Sequence, residues 1–134
     1  MTAVEVEVDP KGYRAAAALR AGLRDFSQAS GQALQRHGLT TERYELLLAI
    51  KAAGDSTEHT TVSELTSVLG VAQSSITQLV RRAEDAGLLR REVSGTDARV
   101  RYLRLTKRGE RQLARAVADL REERAHLASL LTRL

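Results

Sequence analysis

A mostly α-helical fold with one small β-hairpin (α+β) is predicted by three features of the sequence. Apolar residues recur at steps of three and four along most of the 134 positions, and Val100 to Leu105 alternates apolar and basic residues at period two, as a strand with one buried face does. One proline and few aromatics (three Tyr, one Phe, no Trp) argue against a sandwich of many short strands. With 43% hydrophobic and 28% charged residues, the composition is that of a soluble globular chain with one core, and a dimer is the simplest way to enlarge it. The absence of cysteine excludes disulfides, thiolate metal sites and cysteine-based oxidant sensing. The opening MTAVEVEVDP is acidic without an apolar core, and no apolar run approaches membrane-spanning length, so a cytoplasmic protein with no membrane partner is expected.

In chain order, Asp9-Pro10 starts the first helix, with Asp as N-cap and proline where its missing N–H costs nothing. Leu19, Leu23, Phe26, Ser30, Ala33 and His37 form its packing seam, and Gly38 stops it. Thr41 is expected to cap a second helix with Tyr44, Leu47, Leu48 and Ile50 inward, closed by Ala53-Gly54. Asp55 to Thr60 reads as a polar loop. Thr60 or Thr61 caps a short third helix, Val62 to Leu69, with Val62, Leu65, Val68 and Leu69 inward. Gly70 leaves a few residues before Gln73 to Leu89, where Ile76, Leu79, Val80 and Ala83 make one apolar face and Gly87 the stop. Two short helices joined by a glycine turn, the second with a polar outer face, form a helix-turn-helix pattern. Leu88–Val93 and Val100–Leu105 then read as two strands around a polar tip, Ser94 to Arg99, and a hairpin after a helix-turn-helix is a wing. Thr106 caps a last helix from Lys107 to the end, roughly 40 Å long, with Leu113, Val117, Leu120, Leu127, Leu131 and Leu134 along it and Arg124 at one seam position.

The net charge is +4, unevenly placed. Between Ser74 and Arg111 ten basic residues face five acidic ones, so that segment carries +5 and the rest of the chain −1. A basic block around a polar helix face fits a polyanion, phosphates first.

The element order, together with Leu39-Thr40, Glu64-Leu65, Leu69-Gly70-Val71, Leu79-Val80, Ala86-Gly87-Leu88-Leu89, Asp97-x-Arg99 and Leu105-Thr106-x-x-Gly109, resembles the MarR family of bacterial transcriptional regulators. The likeness covers about Leu39 to Gly109, and more loosely both terminal helices. Three departures stand out: Ala72 where a cap is usual, a somewhat long loop at residues 55–60, and no additional C-terminal helix beyond the long last one.

The resemblance implies a winged helix-turn-helix with N- and C-terminal dimerisation helices. Residues 1–38 are then the N-terminal dimerisation helix, 39–106 the winged DNA-binding domain and 107–134 the C-terminal dimerisation helix, in one compact unit. It also implies a homodimeric repressor on a pseudo-palindromic double-stranded DNA operator, with recognition helix 73–86 in the major groove and wing 94–99 in the minor groove. Gln73, Ser74, Thr77, Gln78 and Arg81 have the groups to meet base edges, with Ser75 and Arg82 nearer the backbone. Thr61 and Ser63 would hold a phosphate at a helix N-terminus or simply cap it. In the family-like placement Arg99 reaches the minor groove, Asp97 orients the wing and Arg101 touches backbone, while Arg90 and Arg91 are screened surface charges. Leu19, Leu23, Phe26, Val117, Leu120, Leu127 and Leu131 are the candidate dimer core. A small aromatic or anionic effector is implied too, with Tyr13, Arg14, Arg20, Arg24, Arg36, His37 and Tyr44 as candidate lining.

A different reading is a winged-helix protein–protein interaction module without specific DNA binding. Catalysis is not expected. Ser74-Ser75 and the histidines at 37, 59 and 126 have simpler structural roles, and neither a nucleophile elbow nor a glycine-rich phosphate loop is present. The histidine spacing suggests no metal, and no cofactor is implied.

Overall fold

The computed structural model describes residues 3–53, 60–93, 95 and 101–134. Among them, six helices and one hairpin run in the order α1 (Pro10–Arg36), α2 (Thr41–Ala53), α3 (Val62–Leu69), α4 (Gln73–Asp85), β1 (Leu89–Val93), β2 (Arg101–Leu105), α5 (Lys107–Asp119) and α6 (Arg121–Arg133).

The chain's own capping chemistry sets most boundaries. The Asp9 carboxylate accepts from the Lys11 N–H at 2.8 Å, with Pro10 as the first helical residue. At the other end of α1, Gly38 takes φ +69°, and the Leu39 N–H returns to the Leu34 carbonyl at 2.9 Å. Gly87 (φ +76°) does the same after α4, sending the Leu88 N–H to the Ala83 carbonyl at 2.9 Å. In both places a left-handed residue satisfies a helix end and turns the next leucine inward; Leu39 and Leu88 are both buried.

Two helix phases differ from expectation. Thr40, not Thr41, caps α2, its hydroxyl accepting from the Arg43 N–H at 3.1 Å. Leu46 lies in the core beside Leu47 and Ile50, whereas Leu48 is exposed. Five successive apolar residues, Leu46 to Ile50, fit two helical phases equally well, and packing selects one. In α3, Leu65 is wholly buried but Val68 is 63% exposed.

The core joins Ala33 and Leu34 of α1, the α2 leucines, Leu65 of α3, Ile76, Val80 and Ala83 of α4, Leu89, Leu103 and Leu105 of the hairpin, and Leu113 and Ala116 of α5. Each large side chain so buried contributes about 1.5–3 kcal/mol. The strands pair antiparallel, from Leu89 opposite Leu105 to Val93 opposite Arg101. Thr60 adds a bridge, its carbonyl accepting from the Leu103 N–H at 2.7 Å, while Thr61 caps α3 through the Glu64 N–H at 3.3 Å.

Thr106 fastens α5 to the end of α4. Its hydroxyl donates to the Gly87 carbonyl at 2.6 Å and accepts from the Gly109 N–H at 3.1 Å. Gly109 lies so close that an added Cβ would sit 2.2 Å from the Leu88 carbonyl oxygen.

The single long last helix is a correction. Leu120 (φ −88°, ψ 6°) interrupts it, giving α5 and a separate α6 that packs along α1. The Arg124 guanidinium crosses the joint to donate to the Val117 carbonyl at 2.6 Å. A side chain thus serves a carbonyl at the helix end, one of the groups that termination leaves without an intrahelical partner. Among the described residues no helix is long and apolar enough to cross a membrane.

Candidate nucleic-acid interface

The expected reading helix is α4, which runs Gln73–Asp85 with Ala86 as its C-cap, one residue short of the expected end. Ile76, Val80 and Ala83 are fully buried and Leu79 packs from the edge, so the opposite face is fixed in direction by the core. That outer face presents Gln73, Ser74, Ser75, Gln78, Arg81 and Arg82, all exposed. Thr77 is half-buried, and its hydroxyl already donates to the Gln73 carbonyl at 2.9 Å, which leaves it acceptor capacity only. Ala72 forms no side-chain cap, and its carbonyl receives the Ser75 and Ile76 N–H groups at 3.0 and 3.1 Å.

The surrounding charges divide into paired and unpaired sets. Arg90 meets Glu92 at 2.9 Å, Arg91 meets Glu84 at 3.0 Å, and Arg104 meets Glu92 at 3.3 Å. Exposed pairs of this kind contribute little to folding, but they hold the hairpin arginines locally neutralised. Among the described residues Arg81 and Arg82 are in no ion pair, so the outer face of α4 carries free positive charge. Thr61 spends its hydroxyl on capping α3, and Ser63 is exposed one turn away. Two exposed valines flank the turn before α4: Val68, which the helical pattern predicts to face inward, and Val71.

Asp97 and Arg99 lie outside the described residues, as does the rest of the expected wing 94–99 apart from Gly95. Arg101 opens β2 opposite Val93, and its side chain is likewise outside the description.

The expected dimer residues separate by burial. Leu120 is 2% exposed and belongs to the protomer's own core, which corrects its placement at an interface. Val117 packs against the same core. Leu19, Phe26 and Leu127 are half-buried, and Leu23 and Leu131 are exposed. Between α1 and α6 runs a groove of about 660 Å³, with Gly22, Phe26, Leu127 and Leu130 in its lining and Asp25 and Glu123 among the acidic groups beside them.

Of the expected effector-lining residues, Arg14, Arg20 and Arg24 are exposed along α1, Tyr13 is exposed and Tyr44 packs against the core. Arg36 and His37 border a second cavity of about 400 Å³ with Arg108, Arg111, Gln112 and Arg115. There His37 Nε2 lies 3.0 Å from Asp119 and Arg36 lies 3.2 Å from the same carboxylate. The His37 hydrogen bond chiefly, with help from Arg36, holds the Asp119 carboxyl below the usual carboxylate range, against a partial opposing effect of desolvation. The serines and histidines are dispersed: Ser74 and Ser75 stand on α4, His37 is engaged by Asp119, His126 lines the α1–α6 groove, and His59 lies outside the described residues. Among the described residues no three potential metal ligands cluster.

Comparison with known proteins agrees with this architecture. Residues 37–100 match the sequence model of the MarR family, a span that takes in α2, α3, α4 and β1. The HTH-type transcriptional regulator PetP of Rhodobacter capsulatus is 42% identical over 59 residues, which cover 42% of this chain and 36% of PetP. The match thus spans about a third of that relative's length. AbsC of Streptomyces coelicolor, a MarR family transcriptional regulator, superposes with a TM-score of 0.74 at 23% identity, over 92% of this chain and 84% of AbsC. The M. tuberculosis transcriptional regulator MOSR, solved in complex with DNA, gives 0.64 at 29% identity over 82% of this chain and 77% of MOSR. The helix-turn-helix region and the first hairpin strand are thus similar in sequence to the MarR family, and the whole chain shares the fold of a MarR family regulator.

Proposed function

We propose that this protein is a sequence-specific double-stranded-DNA-binding transcriptional regulator, a repressor, acting as a homodimer on a pseudo-palindromic operator. Each protomer lays α4 in the major groove and directs the 94–99 segment, with Arg99, to the adjacent minor groove. The observation that carries the reading is the division of α4. Its inner face is locked by Ile76, Val80 and Ala83, and its outer face offers amide and hydroxyl donors with two unpaired guanidiniums. Gln73, Ser74, Gln78 and Arg81 meet base edges in this reading, with Thr77 as an acceptor only. Ser75, Arg82, Ser63, Thr61 and Arg101 lie toward the backbone, and Asp97 orients the wing.

Residues 39–106 act as the reading domain, and the helices of 1–38 and 107–134 set the spacing between the two copies of α4. Half-sites read by symmetric dimers lie about 34–36 Å apart, so that spacing must be held by the dimer. Leu19, Leu23, Phe26, Leu127 and Leu131 are its proposed contacts. A small effector that shifts the spacing completes the proposal. Its support is that the helices carrying those contacts also border cavities of about 660 and 400 Å³. The function operates in the cytoplasm and requires no catalysis.

The test is DNA selection with the purified protein, followed by gel-shift titration of the selected duplex across salt. Affinity should fall steeply as salt rises. Arg81→Ala should weaken binding and relax sequence preference at one position of each half-site, whereas Arg99→Ala should weaken it with a narrower effect on A·T-rich flanks. Unchanged binding in both variants would sink the DNA reading and favour the interaction-module reading.

A further inference from the structure

The cavity where the end of α1 meets α5 has a composition that folding alone does not explain. Residues 108, 111 and 115 are spaced three and four apart, so Arg108, Arg111 and Arg115 project from one side of α5. The Arg36 side chain and His37 close the space from the end of α1, and the Gln112 amide pins the two helices by donating to the His37 carbonyl at 2.5 Å. No carboxylate and no large apolar side chain is among the six lining residues. Asp119, just beyond them, is already shared by Arg36 and His37.

Two features make this arrangement costly to an empty protein. Like charges one turn apart on a helix repel, and no acid lines the cavity beside these arginines, whereas Arg90, Arg91, Arg104 and Lys51 are each paired with a glutamate. Among the described residues Arg108, Arg111 and Arg115 are in no ion pair. Arg108 is also the second residue of α5, where the helix dipole disfavours a cation. A bound dianion reverses both effects, and guanidinium forks match the geometry of phosphate oxygens.

We propose that this cavity is a binding site for a compact, multivalent oxyanion of the phosphate class, gripped by Arg108, Arg111 and Arg115 of α5 together with Arg36 of α1. Binding ties the end of α1 to α5. The lining has no aromatic ring apart from the engaged His37 and no apolar wall, so it selects for charge and compactness and against a flat aromatic anion. The site rests on the arginine placement and not on DNA binding, and it gives a chemical class to the effector proposed above for one of the two cavities.

The test is calorimetric titration of the purified full chain with inorganic phosphate and with pyrophosphate, at constant ionic strength held by chloride. The expected result is saturable binding, tighter for pyrophosphate, weakened at least about tenfold by Arg111→Gln with Arg115→Gln and unaffected by Arg121→Gln, a charge-matched control on α6. The substituted arginines are exposed, so the variants should keep the wild-type melting curve, and Arg108→Gln provides a second, separate lesion. Absence of saturable binding would overturn the proposal, as would equal weakening by Arg121→Gln, which would show general charge attraction only. A flat oxyanion titration together with weaker DNA retention in the Arg111/Arg115 variant would overturn it as well, making the cavity a DNA-backbone contact.

Discussion

Helices α4 and α6 are each 13 residues long, yet one protomer completes only the first. Packed against α2, α3 and β1, α4 has three residues with no exposed surface at all. Among its neighbours α6 has α1 and α5, and it buries none of its residues fully. Leu131 on α6, Leu134 just after it and Leu23 on α1 remain 40–48% exposed. Helical periodicity is therefore necessary for a buried face but does not supply one; the number of surrounding elements does. The inner face of α4 is covered within the chain, while the α1–α6 pair keeps apolar surface exposed, the surface that the proposed dimer would use.

The sharpest way to break this contrast is to cut equal apolar volume from each region. Ile76→Ala should cost about 3 kcal/mol, because a fully enclosed site cannot collapse onto the cavity it gains. That is a large share of the roughly 5–15 kcal/mol available to a whole domain. Leu131→Ala should stay within about 0.5 kcal/mol in the protomer. Urea unfolding at low protein concentration measures both, and comparable losses would show that α6 is as enclosed as α4. Next in size is Gly109→Ala. Its methyl would fall on the Leu88 backbone rather than on a yielding side chain, so about 2 kcal/mol or more should be lost. Because the contact joins α5 to the exit of α4, the same variant should expose the hairpin amides to hydrogen exchange before those of α1.

The same contrast explains what could be read in advance. The starts of α1 and α5, the glycine stops at 38, 70 and 87, and the inner face of α4 were legible because each depends on a local group: a carboxylate or hydroxyl cap, a left-handed residue, or an apolar stripe. The phase of α2 was not, since Leu46 to Ile50 are all apolar and only the neighbours decide that Leu48 stays outside. The break at Leu120 was hidden because no glycine or proline marks it and the leucine spacing continues through it. At the site, the outward set on α4 followed from its stripe, whereas the arginine cavity joins residues some 75 positions apart and has no sequence signature.

Smaller in effect is the interface itself. Replacing Leu131 by Asp places a charge where the proposed dimer needs apolar surface, while the protomer already leaves that side chain exposed. Dimerisation should weaken by about tenfold, or about 1.4 kcal/mol, with the melting curve of the protomer nearly unchanged. Leu23→Asp should act in the same way, and sedimentation across a concentration series reads both. If the doubly substituted protein sediments as wild type, the exposed α1–α6 surface serves something other than a second copy.

The smallest expected change lies at the start of the enclosed helix. At the start of α4, Ala72 lacks the side-chain oxygen that would accept from the first turn, although its extended backbone (φ −64°, ψ 149°) is that of an N-cap. Ala72→Ser should therefore stabilise the free protein by about 0.5–1 kcal/mol, visible as a small rise in the melting temperature. Its effect on DNA separates two explanations of the missing cap. A serine hydroxyl would occupy an N–H of the first turn, which otherwise stays available to a phosphate at a helix N-terminus. If that N–H serves DNA, the variant should melt higher and bind its duplex more weakly. A variant that melts higher with unchanged affinity would make Ala72 a plain structural omission, and α4 would then read DNA through its outward side chains alone.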